Sequence, residues 1–224
     1  MYRFFVEKRN NNKFELTKEI INHLKAIRLK KDERFYCIYD QKYFICRLDN
    51  NEAIIEEETN INNENPNEIV LFIAIINIKR FEWLVQKATE LGVKKIYPLI
   101  TKNTNIKYID IFRKKIDRLR EISKNASEQS FRNILVEINE PISFNEAMKI
   151  DCKNKYIAHE KEKDSLKKDY LFEGHSIFFV GPEGGFDELE IKQAVNNNFK
   201  IVSLGKRILR SETAAIFLLS RIKE

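Results

Sequence analysis

Two short stretches hold the residues whose types and spacing could bind a ligand or carry a reaction. The first is GPEGGF, residues 181–186, which follows the apolar run SIFFV and contains three of the six glycines in the chain. Glycine lets a ligand approach the backbone closely and accepts positive φ, while Pro182 cannot donate to a strand ladder and so ends the strand. Asp187 and Glu190 follow at capping-box spacing, which leaves free amides at a helix start. We therefore predict a ligand-binding turn between a strand and a helix.

The second stretch is LGKRILRSETA, residues 204–214. Gly205 follows another apolar strand pattern, and Ser211 is a candidate N-cap for the helix that comes next. Arg207 and Arg210 lie between them, and two arginines beside a glycine turn and a helix start favour an anionic group. The alternative is that both guanidinium groups are simply solvated.

Several familiar sites are excluded by the absence of their motifs. No G-x-G-x-x-G opens the first helix, and the phosphate-binding G-x-x-x-x-G-K-[ST] and the nucleophile motif G-x-S-x-G are missing. Cys37, Cys46 and Cys152 are odd in number and widely spaced, so we expect neither a disulfide framework nor a metal site. A reducing cytosol fits this cysteine usage, and we expect a cytoplasmic protein.

The elements that must position the two stretches are visible in the hydrophobic pattern. From Ile69 onwards, apolar runs alternate with segments of helical spacing, which is typical of a parallel sheet with helices on both faces. In such sheets, ligands bind beyond the carboxyl ends of the strands. Residues 1–68 instead read as short strands with one helix, which favours a small β-barrel, and the polar segment 59–68 is the candidate linker. We predict two domains, 1–68 and 69–224.

Charge and hydropathy limit the partners. Residues 1–68 carry 12 Lys+Arg and 13 Asp+Glu, whereas residues 69–224 carry 28 and 21, and the segment 102–124 alone has eight basic side chains against three acidic ones. Such a segment suits a polyanion such as nucleic acid, although a merely solvated lysine-rich face is an equal alternative. No apolar run approaches the roughly 18 residues of a membrane helix, and the N-terminus shows no targeting pattern. We expect no membrane and no metal partner.

The residues also carry a family resemblance. GPEGGFDELE followed by LGKRILRSETAA resembles the signature of the SPOUT-class small-subunit ribosomal RNA uridine N3-methyltransferases. KRFEWLVQKATELGVKKIYPLIT, NASEQSFRN and NHLKAIRLKKDE resemble further segments of that family, so the likeness covers nearly the whole chain. The resemblance implies an α/β fold with a trefoil-knotted C-terminal SPOUT domain and an N-terminal PUA-like β-barrel. It also implies S-adenosylmethionine as cofactor, a homodimer, and small-subunit ribosomal RNA or the assembled subunit as substrate.

The resemblance carries over to individual positions. The implied cofactor contacts are Val180, Gly181, Glu183, Gly184, Gly185, Leu204, Gly205, Arg207, Ile208, Leu209 and Ala214, with Leu99 and Ile100 as weaker candidates. The implied RNA-binding or interface residues are Arg3, His23, Arg28, Glu128, Gln129 and Arg132. The chain departs from the family pattern at Lys31 and Glu33, where glycines are usual, at Phe131, where a small residue is usual, and at Val136, which replaces a proline.

The implied reaction suggests roles for the charged residues. Methylation at uridine N3 requires loss of a proton that is mostly retained at neutral pH, so the site must stabilise a developing anion and accept the proton. We assign the first role to Arg210, with Arg207 as second choice. Glu183 or Glu212 could accept the proton. Glu212 could instead only complement a helix dipole, and Glu183 could only bind amides of its own loop.

Two other functions stay open at this point. The chain could be a SPOUT methyltransferase for another RNA, which cofactor-site residues cannot exclude. It could also be an RNA-binding module without catalysis, although such a module has no need for two glycine-bearing strand-to-helix loops.

Overall fold

A computed structural model describes residues 1–30, 32–160 and 170–223 of the protein. The chain forms two compact units, one of Met1–Glu64 with Ser127–Ile134 and one of Asn65–Ala126 with Leu135–Glu224. The sequence analysis assigned residues 127–134 to the second domain, because periodicity along the chain does not report which residues meet in space. Lys31, one of the departures from the family pattern, lies outside the described residues.

The first unit is built on one six-stranded sheet. Its elements are β1 (Arg3–Phe5), β2 (Arg9–Asn10), β3 (Lys13–Glu15), α1 (Lys18–Ala26), β4 (Arg34–Tyr39), β5 (Lys42–Asp49) and β6 (Glu52–Glu58). The strand order is β1-β4-β5-β6-β3-β2, in which only β1 and β4 pair in parallel. Thr17 caps α1 by accepting from the Ile20 amide, and α1 buries Ile20 and Leu24 in the core of the unit.

A buried polar network holds residues 127–134 in the first unit. Arg132 is 3% exposed, and its guanidinium donates to both carboxylate oxygens of Glu64, at 2.8 and 2.7 Å. The Asn133 side chain donates to the carbonyls of Gln41 and Ile61, at 2.7 and 2.8 Å. The Tyr43 hydroxyl donates to the Arg132 carbonyl at 2.7 Å, and burial raises the pKa of this phenol. Since a buried charge without its partner is strongly destabilising, each of these groups depends on the others.

Phe131, another departure from the family pattern, adopts a left-handed backbone with φ of 64°. Glycine adopts this conformation without strain, whereas a residue with a Cβ does not. The Phe131 ring stacks on Tyr43 with centroids 5.0 Å apart, and the Arg3 guanidinium lies 4.6 Å from its centroid. Stacking and cation–π contacts therefore offset the backbone strain at this position.

We expect Phe131→Ala to be less stable than Phe131→Gly, although glycine is the smaller residue. Alanine loses the ring contacts and keeps the backbone strain, while glycine loses the contacts but releases about 1 kcal/mol of strain. Urea denaturation followed by near-ultraviolet circular dichroism measures both variants against the unmodified protein. A glycine variant no more stable than the alanine variant would show that the strain at Phe131 is negligible.

The second unit alternates strands and helices. Its elements are β7 (Ile69–Ala74), α2 (Ile78–Glu90), β8 (Lys95–Ile100), α3 (Ile106–Gln129), β9 (Glu137–Ile138), β10 (Ile142–Ser143), α4 (Phe144–Ala147), β11 (Asn154–Ala158), β12 (Ser176–Val180), α5 (Glu188–Asn196), β13 (Lys200–Val202) and α6 (Ser211–Leu219). The last three residues of α3 are assigned to the first unit. Within the described part of the chain, no helix has the length and apolarity to cross a membrane.

All strand pairs of the second unit are parallel, as predicted. The order is β10-β8-β7-β12-β11-β13, and β9 also pairs with β8. Every residue of β7 and β12 is buried, because apolar clusters cover both faces of the sheet. On one face Phe72 stacks between Phe179 and Tyr97, with centroid distances of 4.4 and 4.7 Å. The strand order changes direction between β7 and β12. Because β12, β11 and β13 are parallel neighbours, their carboxyl ends lie side by side.

Candidate functional site

A cavity of about 200 Å³ lies where the carboxyl ends of β11, β12 and β13 meet the start of α6. The loops that follow β12 and β13 form its walls, as the sequence analysis predicted for a ligand site in a parallel sheet. The cavity is lined by these predicted cofactor contacts: Val180, Gly181, Glu183, Gly184, Gly185, Leu204, Gly205, Arg207, Ile208, Leu209 and Ala214.

The two weaker candidates are placed elsewhere. Leu99 is fully buried in the apolar cluster that includes Phe72 and Phe179. Ile100 borders a separate groove that also includes Lys102 and Ser143. Neither side chain lines the cavity.

The three glycines of the loop 181–186 differ in what a side chain at each position would meet. Gly185 has φ of 68°, and a Cβ there would also lie 3.1 Å from Glu160 Oε1. A Cβ on Gly181 would approach the Phe186 ring to 3.2 Å, and one on Gly184 would lie 3.4 Å from Asn103 Cβ. Gly185 is therefore the one glycine of this loop with the positive φ that we expected, and Gly181 is required for close packing. A Cβ on Gly184 would make only an ordinary van der Waals contact.

Residues after β8 hold this loop from outside the cavity. The Asn103 side chain donates to the carbonyls of Gly184 and Gly185, at 3.3 and 3.1 Å. The predicted capping box of Asp187 and Glu190 is present, and Glu190 also accepts from the Lys102 amide at 2.9 Å. Lys102 Nζ lies 2.8 Å from Asp187 Oδ2. The second half of the loop is thus held by hydrogen bonds within the chain itself.

The second loop presents its arginines differently. Gly205 has φ of 127°, and nothing lies within 4 Å of a Cβ built on it. Arg207 is exposed and lines the cavity, whereas Arg210 is exposed and lies outside the lining. Arg210, not the predicted Ser211, occupies the N-cap position of α6, and no side chain caps this helix. Ser211 is the first helical residue and lines the cavity, so the prediction of its capping role was wrong by one position.

The two candidate proton acceptors also differ in placement. Glu183 lines the cavity with a side chain that is 45% exposed. Glu212 is 8% exposed and does not line the cavity, and its Oε2 has no hydrogen-bond partner among the described residues. Both carboxylates lie near Arg80, which is 3.2 Å from Glu183 and 3.8 Å from Glu212.

The sequence analysis missed Arg80, His159 and Glu160. His159 and Glu160 line the cavity directly after β11, and His159 Nδ1 lies 3.7 Å from Glu160 Oε2. The His159 side chain is 11% exposed, and its Nδ1 has no hydrogen-bond partner among the described residues. The rule that selected the other two loops, polar residues directly after a strand, could also have selected this pair after β11. Arg80 carried no such signal, because it lies within a helix.

The predicted RNA-side residues lie in the first unit, where several are engaged. Arg3 donates to the Gln129 carbonyl at 3.0 Å, and Glu128 accepts from the Phe5 amide at 3.0 Å. Arg132 is buried against Glu64. The remaining two are exposed: His23, which packs edge-on against Phe4 at 5.3 Å, and Arg28. Their roles toward RNA stay a prediction. No cluster of metal-ligating side chains occurs among the residues that the structure describes.

Comparisons with known proteins give the class of the chain. The profile of the RNA methyltransferase domain matches residues 63–223, which include both cavity loops. The structure is similar to that of the ribosomal RNA small subunit methyltransferase E from Neisseria gonorrhoeae bound to S-adenosylmethionine, with a TM-score of 0.86 and 32% identity over 98% of this chain and 95% of that one. A methyltransferase from Legionella pneumophila in complex with the same cofactor gives a TM-score of 0.83 at 29% identity, covering 98% and 95% of the two chains. The fold is therefore that of an RNA methyltransferase.

Curated sequences narrow the class to one family. The ribosomal RNA small subunit methyltransferase E of Mesomycoplasma hyopneumoniae is 42% identical over 99% of this chain and 98% of its own. That of Aquifex aeolicus is 31% identical over 98% of each chain. The chain belongs to the ribosomal RNA small subunit methyltransferase E family.

We expect the bond between Lys102 and Asp187 to make stability depend on acid pH. The Lys102 ammonium, and then the Leu189 amide, lower the pKa of the Asp187 carboxyl. A lowered folded-state pKa adds stability that is full above the unfolded value of about 3.9 and is lost as pH falls through the folded value. Urea denaturation between about pH 6 and about pH 2 should therefore show a smaller acid loss for Asp187→Asn than for the unmodified protein. Asp110→Asn, on an exposed face of α3, serves as control. Equal acid losses in all three proteins would contradict this expectation.

Proposed function

We propose that this protein transfers a methyl group from S-adenosylmethionine to N3 of a uridine in small-subunit ribosomal RNA. The observation that carries the proposal is the cavity at the carboxyl edge of the sheet, which is lined by residues of both family-signature loops. Membership of the family and the cofactor-bound relatives support the reaction class and the cofactor. The choice of uridine N3 rests on the resemblance described above.

The residues present fit S-adenosylmethionine. Its ribose, adenine and amino-acid parts carry hydroxyl, amino and carboxylate groups, which need hydrogen-bond partners when they leave water. His159 lines such a cavity, and its buried Nδ1 has no hydrogen-bond partner among the described residues. A buried unpaired nitrogen is costly unless a ligand satisfies it. The backbone of the glycine loop and the open space at Gly205 accommodate a ligand that lies against the chain itself.

The charged residues of the chain supply the remaining needs of the reaction. When bound, the cofactor supplies an electrophilic methyl group on a sulfonium. Arg207 lines the cavity and Arg210 lies three residues further along the same loop, so both can approach an anionic uracil oxygen. Glu183 lines the cavity and is the better placed proton acceptor. Glu212 lies in the first turn of α6, where its charge complements the helix dipole.

The exposed face of α3 is our proposed contact with the RNA backbone. Of the basic residues between positions 102 and 124, three pair with acids: Lys102 with Asp187, Arg118 with Glu82, and Arg120 with Asp117. The basic residues that remain exposed, with no ion pair recorded among the described residues, are Lys107, Arg113, Lys114 and Lys115. These four suit phosphate contacts, which release counterions and weaken as salt rises.

The finer architecture is part of the same proposal. The insertion of β12 between β7 and β11, together with the long second loop, supports a trefoil-knotted SPOUT domain. The six-stranded sheet with its single parallel pair supports a PUA-like barrel in the first unit. We further propose a cytoplasmic homodimer, on the strength of the resemblance.

Substitution of Gly205 tests the cofactor site. Gly205 and Gly92 both have positive φ, 127° and 85°, and both have open space around a built Cβ. Gly92 lies past the end of α2, outside the cavity. We expect Gly205→Ala to raise the Kd for S-adenosylmethionine about tenfold in calorimetric titration, while Gly92→Ala loses stability from similar strain and binds normally. Equal Kd values for both variants would remove this loop from the cofactor site, and an unmodified protein that never binds the cofactor would favour a non-catalytic RNA-binding module.

Two arginine variants test the chemistry. We expect Arg210→Gln to lower kcat by about a hundredfold with little change in cofactor Kd, since an interaction made mainly in the transition state affects turnover. Arg207→Gln should raise the cofactor KM as well, because Arg207 lines the cavity. Lys206→Gln, a neighbouring exposed cation outside the lining, is the matched control. Unchanged methyl transfer by Arg210→Gln would remove Arg210 from the mechanism.

The substrate is identified by mapping methylated uridines on small-subunit RNA with and without the protein, both on naked RNA and on assembled particles. Methylation at N3 blocks the pairing edge of the base, so it stops reverse transcription and shows as a new termination site. Methylation of a different RNA alone would favour the alternative substrate.

A further inference from the structure

Arg80 lies close to carboxylates from both sides of the cavity. Asn77 caps α2 by accepting from the Lys79 amide at 3.1 Å, so the helix starts soon after β7 and carries Arg80 in its first turn. Arg80 Nη1 is 3.2 Å from Glu183 Oε1, and its Nε is 3.8 Å from Glu212 Oε1. One guanidinium therefore faces a carboxylate from each of the two loop regions.

Glu212 depends on this arginine more than an exposed acid would. Its side chain is 11% exposed, and its Oε2 is buried without a hydrogen-bond partner among the described residues. A buried carboxylate is strongly unfavourable unless a charge or a hydrogen bond compensates for lost water. Arg80 is the cation recorded within 4 Å of it in the described structure, and the N-terminal dipole of α6 adds a smaller contribution.

The two carboxylates belong to opposite walls of the cavity. Glu183 lies between Pro182 and Gly184, which line the cavity, and Glu212 follows Ser211, which lines it from α6. Arg80 and Glu212 are themselves outside the lining. Arg80 thus links Glu183, a residue of the lining, to Glu212, which lies outside the lining in α6.

We propose that Arg80 is a positioning residue, which fixes the spacing between the two cavity loops and thereby raises the affinity for S-adenosylmethionine. The inference rests on the proposed function, because it concerns the cofactor of that site. A binding site held in its bound arrangement loses less conformational entropy when the ligand arrives. An ordinary surface ion pair contributes little, but Arg80 differs from one because its second carboxylate is buried.

The test is calorimetric titration of S-adenosylmethionine into three full-length variants. We expect Arg80→Gln to raise the Kd about tenfold at unchanged stoichiometry, and Arg80→Lys to recover most of that loss, since it restores the charge. Arg118→Gln is the matched control, because it removes an arginine that pairs with Glu82 of the same helix α2 but lies away from the cavity. Its Kd should equal that of the unmodified protein.

The outcomes separate a positioning role from a purely structural one. If Arg80→Gln only unfolds part of the protein, the stoichiometry falls while the Kd of the folded fraction stays normal, and the inference is overturned. If this variant is too unstable to titrate, Arg80→Gln combined with Glu212→Gln removes the uncompensated buried charge, and this protein should fold with the same raised Kd. Normal affinity in the double variant would overturn the inference. Failure of the unmodified protein to bind the cofactor would instead overturn the proposed function and this inference together.

Discussion

The parallel pairing of three strands is the constraint on which the site depends. Because β11, β12 and β13 run in the same direction and are neighbours, the chain leaves all three at one edge of the sheet. Residues that are far apart in sequence, such as His159, Glu183 and Arg207, therefore line the same cavity. β12 is completely buried between two apolar clusters, which fixes the position at which the following loop leaves the sheet. The aromatic core therefore also sets the geometry of the polar site.

Hydrogen bonds then limit the freedom of the loops themselves. Asn103 and Lys102 bind the loop after β12 on its outer side, and the capping box of α5 closes its far end. The loop after β13 has fewer such bonds: its glycine has open space around it, and α6 starts without a side-chain cap. The two walls of the cavity thus differ in the side-chain hydrogen bonds that hold them within the described structure.

The sequence predicted the features that depend on local rules. Strand termination at Pro182, the capping box at Asp187 and the double-sided burial of β7 follow from the chain within a few residues, and the structure confirms them. The partners of Glu212 and the role of residues 127–134 could not be predicted in this way. Arg80 meets Glu212 only because α2 packs against α6, and Arg132 meets Glu64 only because a helix end returns to the first unit. The backbone of Phe131 could not be predicted from local rules either. Its left-handed φ contradicts local propensity and is tolerated because its ring contacts distant residues.

The position of β12 in the sheet has a consequence for how the chain folds during synthesis. Residues 176–180 fill the gap between β7 and β11, two strands that do not pair with each other. Until residues 176–180 leave the ribosome, β7 and β11 have no strand between them with which both can pair. The apolar faces of these two strands therefore stay outside a common sheet. Non-local pairing of this kind slows folding and leaves apolar surface exposed for longer. We infer that the strands of the second unit join into one sheet only after residues 176–180 have been synthesised, whereas the strands of the first unit up to Glu58 can pair much earlier.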